Sequence, residues 1–238
     1  MININCDLGE GLNNEHIIMP LINSCNIACG GHAGDSNSMI ECVEISIKNE
    51  VLIGAHPSYP DRENFGRKKI DISRSELYYS LLDQIERLNS IAKSYGTKLH
   101  HIKAHGALYN QMFTDRDLSD FYLDTIKSFQ EECYIYIPYN SEIEKSALEK
   151  GYRVMYEAFG DRLYNDNLSL VSRDNKDALI NTPKSVIDQI YNIIDSKKIK
   201  SINGVYQSIK ADTICIHSDT DNAVEILKEI NKVFKNIN

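Results

Sequence analysis

The stretch Leu99-His100-His101-Ile102-Lys103-Ala104-His105 reads as a strand with two unlike faces. Successive side chains of a strand point to opposite sides, so Ile102 and Ala104 share one face and His101, Lys103 and His105 the other. A lysine on an inward face is poor packing material, because burying its charge is costly without a partner. Three more runs follow the same rule. Ile2 and Ile4 oppose Asn3, Asn5 and Asp7; Val51, Ile53 and Ala55 oppose Gly54 and His56; Ile214 and Ile216 oppose Thr213, Cys215, His217 and Asp219. Apolar residues then pack beneath outer helices. The ionisable groups face a common axis and gather at the C-terminal ends of the strands, where β/α barrels build their chemistry.

Outward from these runs, strands are predicted near 2–6, 25–30, 51–56, 99–105, 134–138, 153–159 and 213–217, alternating with longer amphipathic segments. This alternation predicts an α/β fold, an irregular seven-stranded β/α barrel. The 238 residues contain no Pro/Gly/Ser-rich linker and are read as one domain over 1–238. Ser73 with Glu76 forms a capping box ahead of Leu77, Leu81, Ile85, Leu88 and Ala92, which share one helical face. Further helices are expected over 36–49, 115–130, 141–149, 183–196 and 220–235, with Thr182-Pro183 as a start signal and Gly151 as a stop.

Lys and Arg number 26 against 34 Asp and Glu, a formal net charge of -8. That balance gives no broad basic footprint for nucleic acid or an anionic membrane, so a small anionic substrate needs a local basic pocket. No basic segment followed by an apolar stretch opens the chain, and no apolar run approaches bilayer length, which predicts a cytoplasmic protein. The six cysteines form no C-x-x-C pair and are expected to be reduced.

Five segments carry candidate chemistry. In Asp7-Leu8-Gly9-Glu10-Gly11, Asp7 faces inward with Asn5, and Glu10 is a candidate ligand contact; a plain turn with solvated acids is an equal alternative. In Asn26 to Asp35, three glycines surround His32, with Asn26 a candidate contact; Asp35 reads equally as a helix N-cap. The loop from Gly54 to Arg67 holds His56, Arg62 and Arg67, and arginine forks suit a substrate carboxylate or a phosphoryl oxygen. Arg67 with Lys68 and Lys69 also reads as a solvated charge run. Lys103 and His105, followed by Tyr109, are the sharpest signal, with Asp7 or Glu157 as the lysine's partner and a purely structural ion pair as the alternative. His100 is expected at the surface and His101 as a satisfied polar residue.

The fifth signal is split between two places. Glu157 and Asp161 are candidates for general base and lysine partner, with Arg162 and Arg173 nearby in sequence. His217 ends the last strand; Asp219 or Thr220 there can simply cap the final helix. Neither a phosphate-cradling G-x-x-x-x-G-K-[ST] loop nor a G-x-G-x-x-G or G-x-S-x-G motif occurs.

The blocks NCDLGEG (5–11), NIACGGHAGD (26–35), IGAHPSYPDR (53–62) with FGR (65–67), KAHGALYN (103–110), EAFGDR (157–162) and CIHSD (215–219) together resemble the LamB/YcsF family, whose members are 5-oxoprolinase components of the lactam utilisation type. The chain departs from the family pattern at Gly31, Ala104, Gly160, Ser172 and Ser218, none of which removes an ionisable group. The resemblance implies a seven-stranded barrel similar to the glycoside hydrolase/deacetylase superfamily. It also implies opening of the 5-oxo-L-proline lactam to L-glutamate with ATP hydrolysis, and two partner subunits; a homodimer stays open. ATP with Mg2+ is the expected cosubstrate, its main binding site a candidate for one of the partners, and no tightly bound metal is expected. Lys103 and an arginine would neutralise oxyanion charge, His105 or His32 move protons, and Asp7 or Glu157 orient water. Two rival readings are a metal-dependent deacetylase or amidohydrolase, with Asp7, His32, His56 and His105 as ligands, and a non-catalytic substrate-binding subunit.

Overall fold

Residues 2–234 are described by a computed structural model, and their strands run β1 (Asn3–Leu8), β2 (Ser24–Ala28), β3 (Leu52–His56), β4 (His101–Ile102), β5 (Tyr134–Pro138), β6 (Val154–Phe159), β7 (Lys198–Lys200), β8 (Tyr206–Ser208) and β9 (Thr213–Cys215). Seven of them, all parallel, close a barrel in the order β1-β2-β3-β4-β5-β6-β9. Every strand predicted from the sequence is in that barrel. The antiparallel pair β7-β8 has no counterpart among the predicted strands: alternating lysines flank Ile199 in β7, and only that residue is buried.

Helices α1 (Glu15–Ile18), α2 (Ser36–Lys48), α3 (Arg74–Ser94), α4 (Gly106–Gln111), α5 (Arg116–Thr125), α6 (Glu142–Glu149), α7 (Pro183–Ile194) and α8 (Ala223–Phe234) surround the barrel. Leu77, Leu81, Ile85, Leu88 and Ala92 of α3 are all buried, and Ser73 and Glu76 close their capping box. Thr182 caps α7 by accepting from the Ser185 amide. The helix expected over 115–130 ends at Thr125 and continues as a separate 3-10 turn over Lys127–Phe129. The short α1 and α4 are too brief for a periodic signal. Residue 235, the end of the last predicted helix, lies outside the described residues. Among those described, no helix is long and apolar enough to cross a membrane.

The strand expected over 99–105 pairs regularly on both sides only at His101–Ile102. Beyond that it stays tied to the neighbouring chain segment, since Lys103 N–H donates to Ala55 O (2.9 Å) and His105 N–H to Pro57 O (2.9 Å). Inward and outward faces are therefore kept through His105. Inside the barrel the lowest polar layer is fully paired. His101 Nε2–H donates to Asn26 Oδ1 (2.7 Å), and Asn26 Nδ2 donates to Asn5 Oδ1 (2.8 Å) and Asp7 Oδ1 (2.7 Å). Asn5 Nδ2 in turn donates to Thr213 Oγ1 at 2.8 Å. Gly54 makes room for this layer: a Cβ there would lie 2.0 Å from His101 Nε2. Low-dielectric surroundings make such a network rigid when every member is satisfied, and it is the platform on which Asp7 stands.

Candidate functional site

Above that layer, four strands each deliver one ionisable group to the axis. Lys103, following β4, is 2 % exposed, and its Nζ lies 2.9 Å from Asp7 Oδ1 on β1 and 2.9 Å from Glu157 Oε1 on β6. The Cys215 thiol of β9 completes the cage at 3.2 Å. Burial alone would push the ammonium down, but Asp7, Cys215 and Glu157 outweigh it and Lys103 stays charged with a raised pKa. Burial likewise opposes ionisation of Asp7, yet His56 and Lys103 hold its carboxyl well below the usual range. The floor thus carries a fixed positive point between two anions, with Tyr109 and Phe159 packed at its side.

Histidines form the next tier, and proton accounting fixes their orientation. Carbonyl oxygens only accept, so His56 Nδ1–H donates to Lys103 O (2.8 Å) and His105 Nε2–H donates to Phe65 O (2.9 Å). The remaining nitrogens, His56 Nε2 and His105 Nδ1, face each other at 3.0 Å. Two lone pairs at that distance repel, and a cation placed between them would relieve the repulsion. Glu10 Oε1 stands 3.5 Å from His105 Nδ1 and 2.9 Å from His32 Nε2, while His32 stacks flat on His105 at 3.6 Å. Gly66, at φ +62°, lets the Phe65–Gly66 turn lie against both rings; a Cβ there would be 2.9 Å from His32 Cβ. Ligand atoms of Glu10, His32, His56 and His105 all fall within 4.8 Å of one another.

On the other side, Asp161, fully buried beyond β6, accepts from His217 Nδ1 (3.0 Å), from the His217 amide (2.9 Å) and from Thr220 Oγ1 (2.6 Å). Its carboxyl is depressed: burial opposes this, and His217 overrides it. His217 Nε2 points toward Asp7 Oδ2, 4.0 Å away. Glu157 is thus the lysine's partner and Asp161 the histidine's.

All of this opens into a cleft of about 780 Å³. Asp7, His56, Lys103, His105, Tyr109, Glu157, Arg67, Arg173 and His217 line it, while Asn26 lies in the layer below and Asp161 behind His217. Glu10 and His32 sit beside the lining His105. Arg62 stands apart, its Nη1 tying the carbonyls of Gly30 (3.2 Å) and Gly34 (2.8 Å) at the surface. Asp35 is an exposed N-cap that accepts from the amides of Asn37 and Ser38. Arg67 and Arg173 share Asp219 as their common partner. Sequence reasoning gives no role to Arg162 or Cys215; an arginine beside Asp161, between Phe159-Gly160 and Leu163-Tyr164, is the available signal for the first.

The LamB/YcsF family model matches residues 2–238. The chain belongs to the LamB/YcsF family. A Bacillus cereus protein named as the A component of 5-oxoprolinase is 38% identical to this LamB/YcsF chain over 241 residues, covering 99% of it and 95% of the relative. One of the same name from Acinetobacter baumannii is 39% identical over 230 residues, covering 94% and 91%. The crystal structure of the lactam utilization protein from Thermus thermophilus superposes with a TM-score of 0.91 at 30% identity, covering 99% of this chain and 96% of that one. The family barrel is therefore the one observed here.

Glu10 gives the LamB/YcsF site a pH signature. Burial first, and Asp7 second, raise its carboxyl from 4.5 to about 7. A folded-state pKa above the unfolded one means a proton is taken up on folding. That stability is complete below the ordinary carboxylate pKa and lost as pH rises through about 7. In chelator-treated protein, Glu10→Gln is expected to raise stability at pH 8 by roughly 3 kcal/mol at most, and to change it little at pH 5. Urea unfolding at the two pH values measures this; equal effects at both would show that Glu10 titrates normally.

Proposed function

We propose that this chain is the lactam-binding subunit of an ATP-dependent 5-oxoprolinase, a hydrolase that opens 5-oxo-L-proline to L-glutamate. The observation that carries this reading is the Lys103 ammonium, buried and held charged at the cleft floor between Asp7 and Glu157. A lactam carbonyl seated there meets a fixed cation where negative charge develops on oxygen. The names borne by the Bacillus, Acinetobacter and Thermus relatives support the substrate class.

An unstrained lactam is a poor electrophile, so the ring carbon is activated by phosphorylation of the amide oxygen, with ATP, as its Mg2+ complex, the donor. Neither a G-x-x-x-x-G-K-[ST] nor a G-x-G-x-x-G motif occurs in the sequence, which favours a main nucleotide site on one of two partner subunits; the Bacillus and Acinetobacter relatives are named as one subunit of their enzyme, which supports such an assembly. Water then adds its oxygen to the ring carbon, the carbon–nitrogen bond breaks as the nitrogen takes a proton, and the acyl phosphate left on the opened chain is hydrolysed by a second water to L-glutamate and inorganic phosphate. His217 is the group best placed to move that proton, because Asp161 holds its Nδ1–H and turns Nε2 toward the floor. His32 and His105, the sequence candidates, have pKa values lowered by burial first and by neighbouring histidines second.

A second reading, a metal-dependent amidohydrolase, is favoured by the converging lone pairs of His56 and His105. Ring N–H groups turned onto backbone carbonyls are the usual support of metal-bound imidazoles. Glu10, His32, His56 and His105 would hold a divalent ion, a donor set that suits zinc or a similar metal. Bound there, it would supply a Lewis acid beside the cleft floor.

One experiment separates these readings. Glutamate release from 5-oxoproline plus ATP is measured with and without the partner subunits, on protein of known metal content before and after chelation. Turnover in the complete mixture that survives chelation and refilling with Mg2+ alone is the expected result. No turnover in that mixture would overturn the assigned reaction, and activity that needs a stoichiometric transition metal would favour the second reading. His217→Ala that keeps assembly and full turnover would point to a chain that binds substrate without doing chemistry.

A further inference from the structure

Arg162 is a buried cation without an anion. It follows Asp161 at the end of β6, is 4 % exposed, and lines the cleft. Its Nη2 donates to Val171 O at 2.6 Å, while Nε is buried with no partner. Among the described residues no carboxylate forms an ion pair with it. The neighbouring acids are committed elsewhere: Asp161 to His217 and Thr220, and Asp219 to Arg67 and Arg173. Backbone bonds keep the residue in place, through the bridge to Leu179 and the Gln189 side chain donating to Arg162 O at 2.9 Å. Burial first, and the charge of Arg173 second, push the guanidinium down to about 10, so it is still charged at neutral pH.

Arg67, Lys68, Arg162 and Arg173 thus line the cleft against the carboxylates of Asp174 and of Asp219 behind them, a surplus of positive charge that faces an anion-rich floor. Buried charges are normally paired, and a guanidinium fork matches a carboxylate or a phosphoryl group. We propose that Arg162, with Arg173 beside it, forms the anion subsite of the cleft and takes the carboxylate of an α-carboxylated lactam. This rests on the lactam reading above and adds the element that selects among lactams. In 5-oxoproline the carbonyl carbon and the carboxylate-bearing carbon flank the ring nitrogen. A ring spanning the cleft can therefore place its carbonyl at Lys103 and its carboxylate at Arg162. The floor anions Asp7 and Glu157 repel the reverse pose.

The test is calorimetric titration of the full chain, wild type, Arg162→Gln and Arg162→Lys, with 5-oxo-L-proline, with 2-pyrrolidinone (the same ring without the carboxylate) and with inorganic phosphate. Wild type is expected to prefer 5-oxoproline to 2-pyrrolidinone by about 10- to 100-fold, the value of a charge-assisted bond. Arg162→Gln is expected to lose that preference while binding 2-pyrrolidinone as before, and Arg162→Lys to keep only part of it. If Arg162→Gln does not fold, by circular dichroism, the lysine variant decides, since it keeps the charge and loses the fork. Wild-type affinity for 5-oxoproline in both variants would overturn the subsite and leave the lactam reading intact. A wild type that ignores both lactams but binds phosphate through Arg162 would overturn the carboxylate assignment together with the lactam reading. Phosphate binding that the variants retain would show an adventitious ion only.

Discussion

Lys103→Met is expected to cost about 3–5 kcal/mol of stability at pH 8, the usual penalty for removing one partner of a buried ion pair, and to abolish turnover. For a chain of this length that is a fall in melting temperature of roughly 10 °C. The loss comes from what remains behind. Asp7 and Glu157, each 2.9 Å from the same ammonium in the wild type, would be left as two anions in a cavity with no cation between them. One of them must then take a proton, which ties the effect to pH. In the wild type the Asp7 pKa is depressed, so its stabilisation is present above the ordinary carboxylate range and fades as pH falls through it. In the variant the one proton shared by the two carboxylates is held by burial and by their mutual repulsion, so its stabilisation is present at low pH and lost as pH rises. The gap between the two proteins should therefore widen from pH 5 to pH 8. Denaturant midpoints across that range measure it; a variant as stable as wild type at pH 8 would show that the floor does not hold two charged acids.

Gly54→Ala is the second large effect, for a steric reason. The new methyl group would lie 2.0 Å from His101 Nε2, 2.3 Å from Cε1 and 2.4 Å from Cδ2. The ring has nowhere to go: it stacks on Tyr136 at 3.8 Å with an 8° tilt, and it donates to Asn26 at 2.7 Å. Overpacking of this sort typically costs about 1–3 kcal/mol where neighbours can yield, and about 3 kcal/mol or more is expected here. Because Asn26 also holds Asp7, a displaced His101 disturbs the floor above it. Adding His101→Ala should recover much of the loss, since the cavity it opens accepts the methyl group, and the double-mutant cycle should show a coupling of about 1–3 kcal/mol. Strict additivity of the two substitutions would refute the collision.

Much of this can be read from the chain because strand alternation is a local rule. Parity alone places Asp7, Lys103, His105 and His217 on inward faces, and the barrel follows from seven such strands. Capping chemistry is equally local, as with Ser73–Glu76 and Thr182–Pro183. What parity cannot give is which acid serves which base. Glu157 and Asp161 are interchangeable in sequence; only the barrel's closure between β6 and β9 sets Asp161 beneath His217 and Glu157 against Lys103. Arg62, read as a ligand for an anion, ties loop carbonyls instead, because a surface arginine after two prolines has backbone acceptors within reach. The tautomers of His56 and His105 depend on the carbonyls of Lys103 and Phe65, which no side-chain pattern encodes.

Floor and wall have different architectural parentage. The floor is stitched across adjacent strands, so altering one member there strains several ladders at once. The wall from Arg162 to Arg173 belongs to an excursion whose bridges run to Leu179, Leu170 and Ser201 and not to the barrel. Mutational drift can reshape that excursion while the polar axis stays intact, so descendants of this scaffold are free to change which molecules they admit long before they lose the means of acting on them.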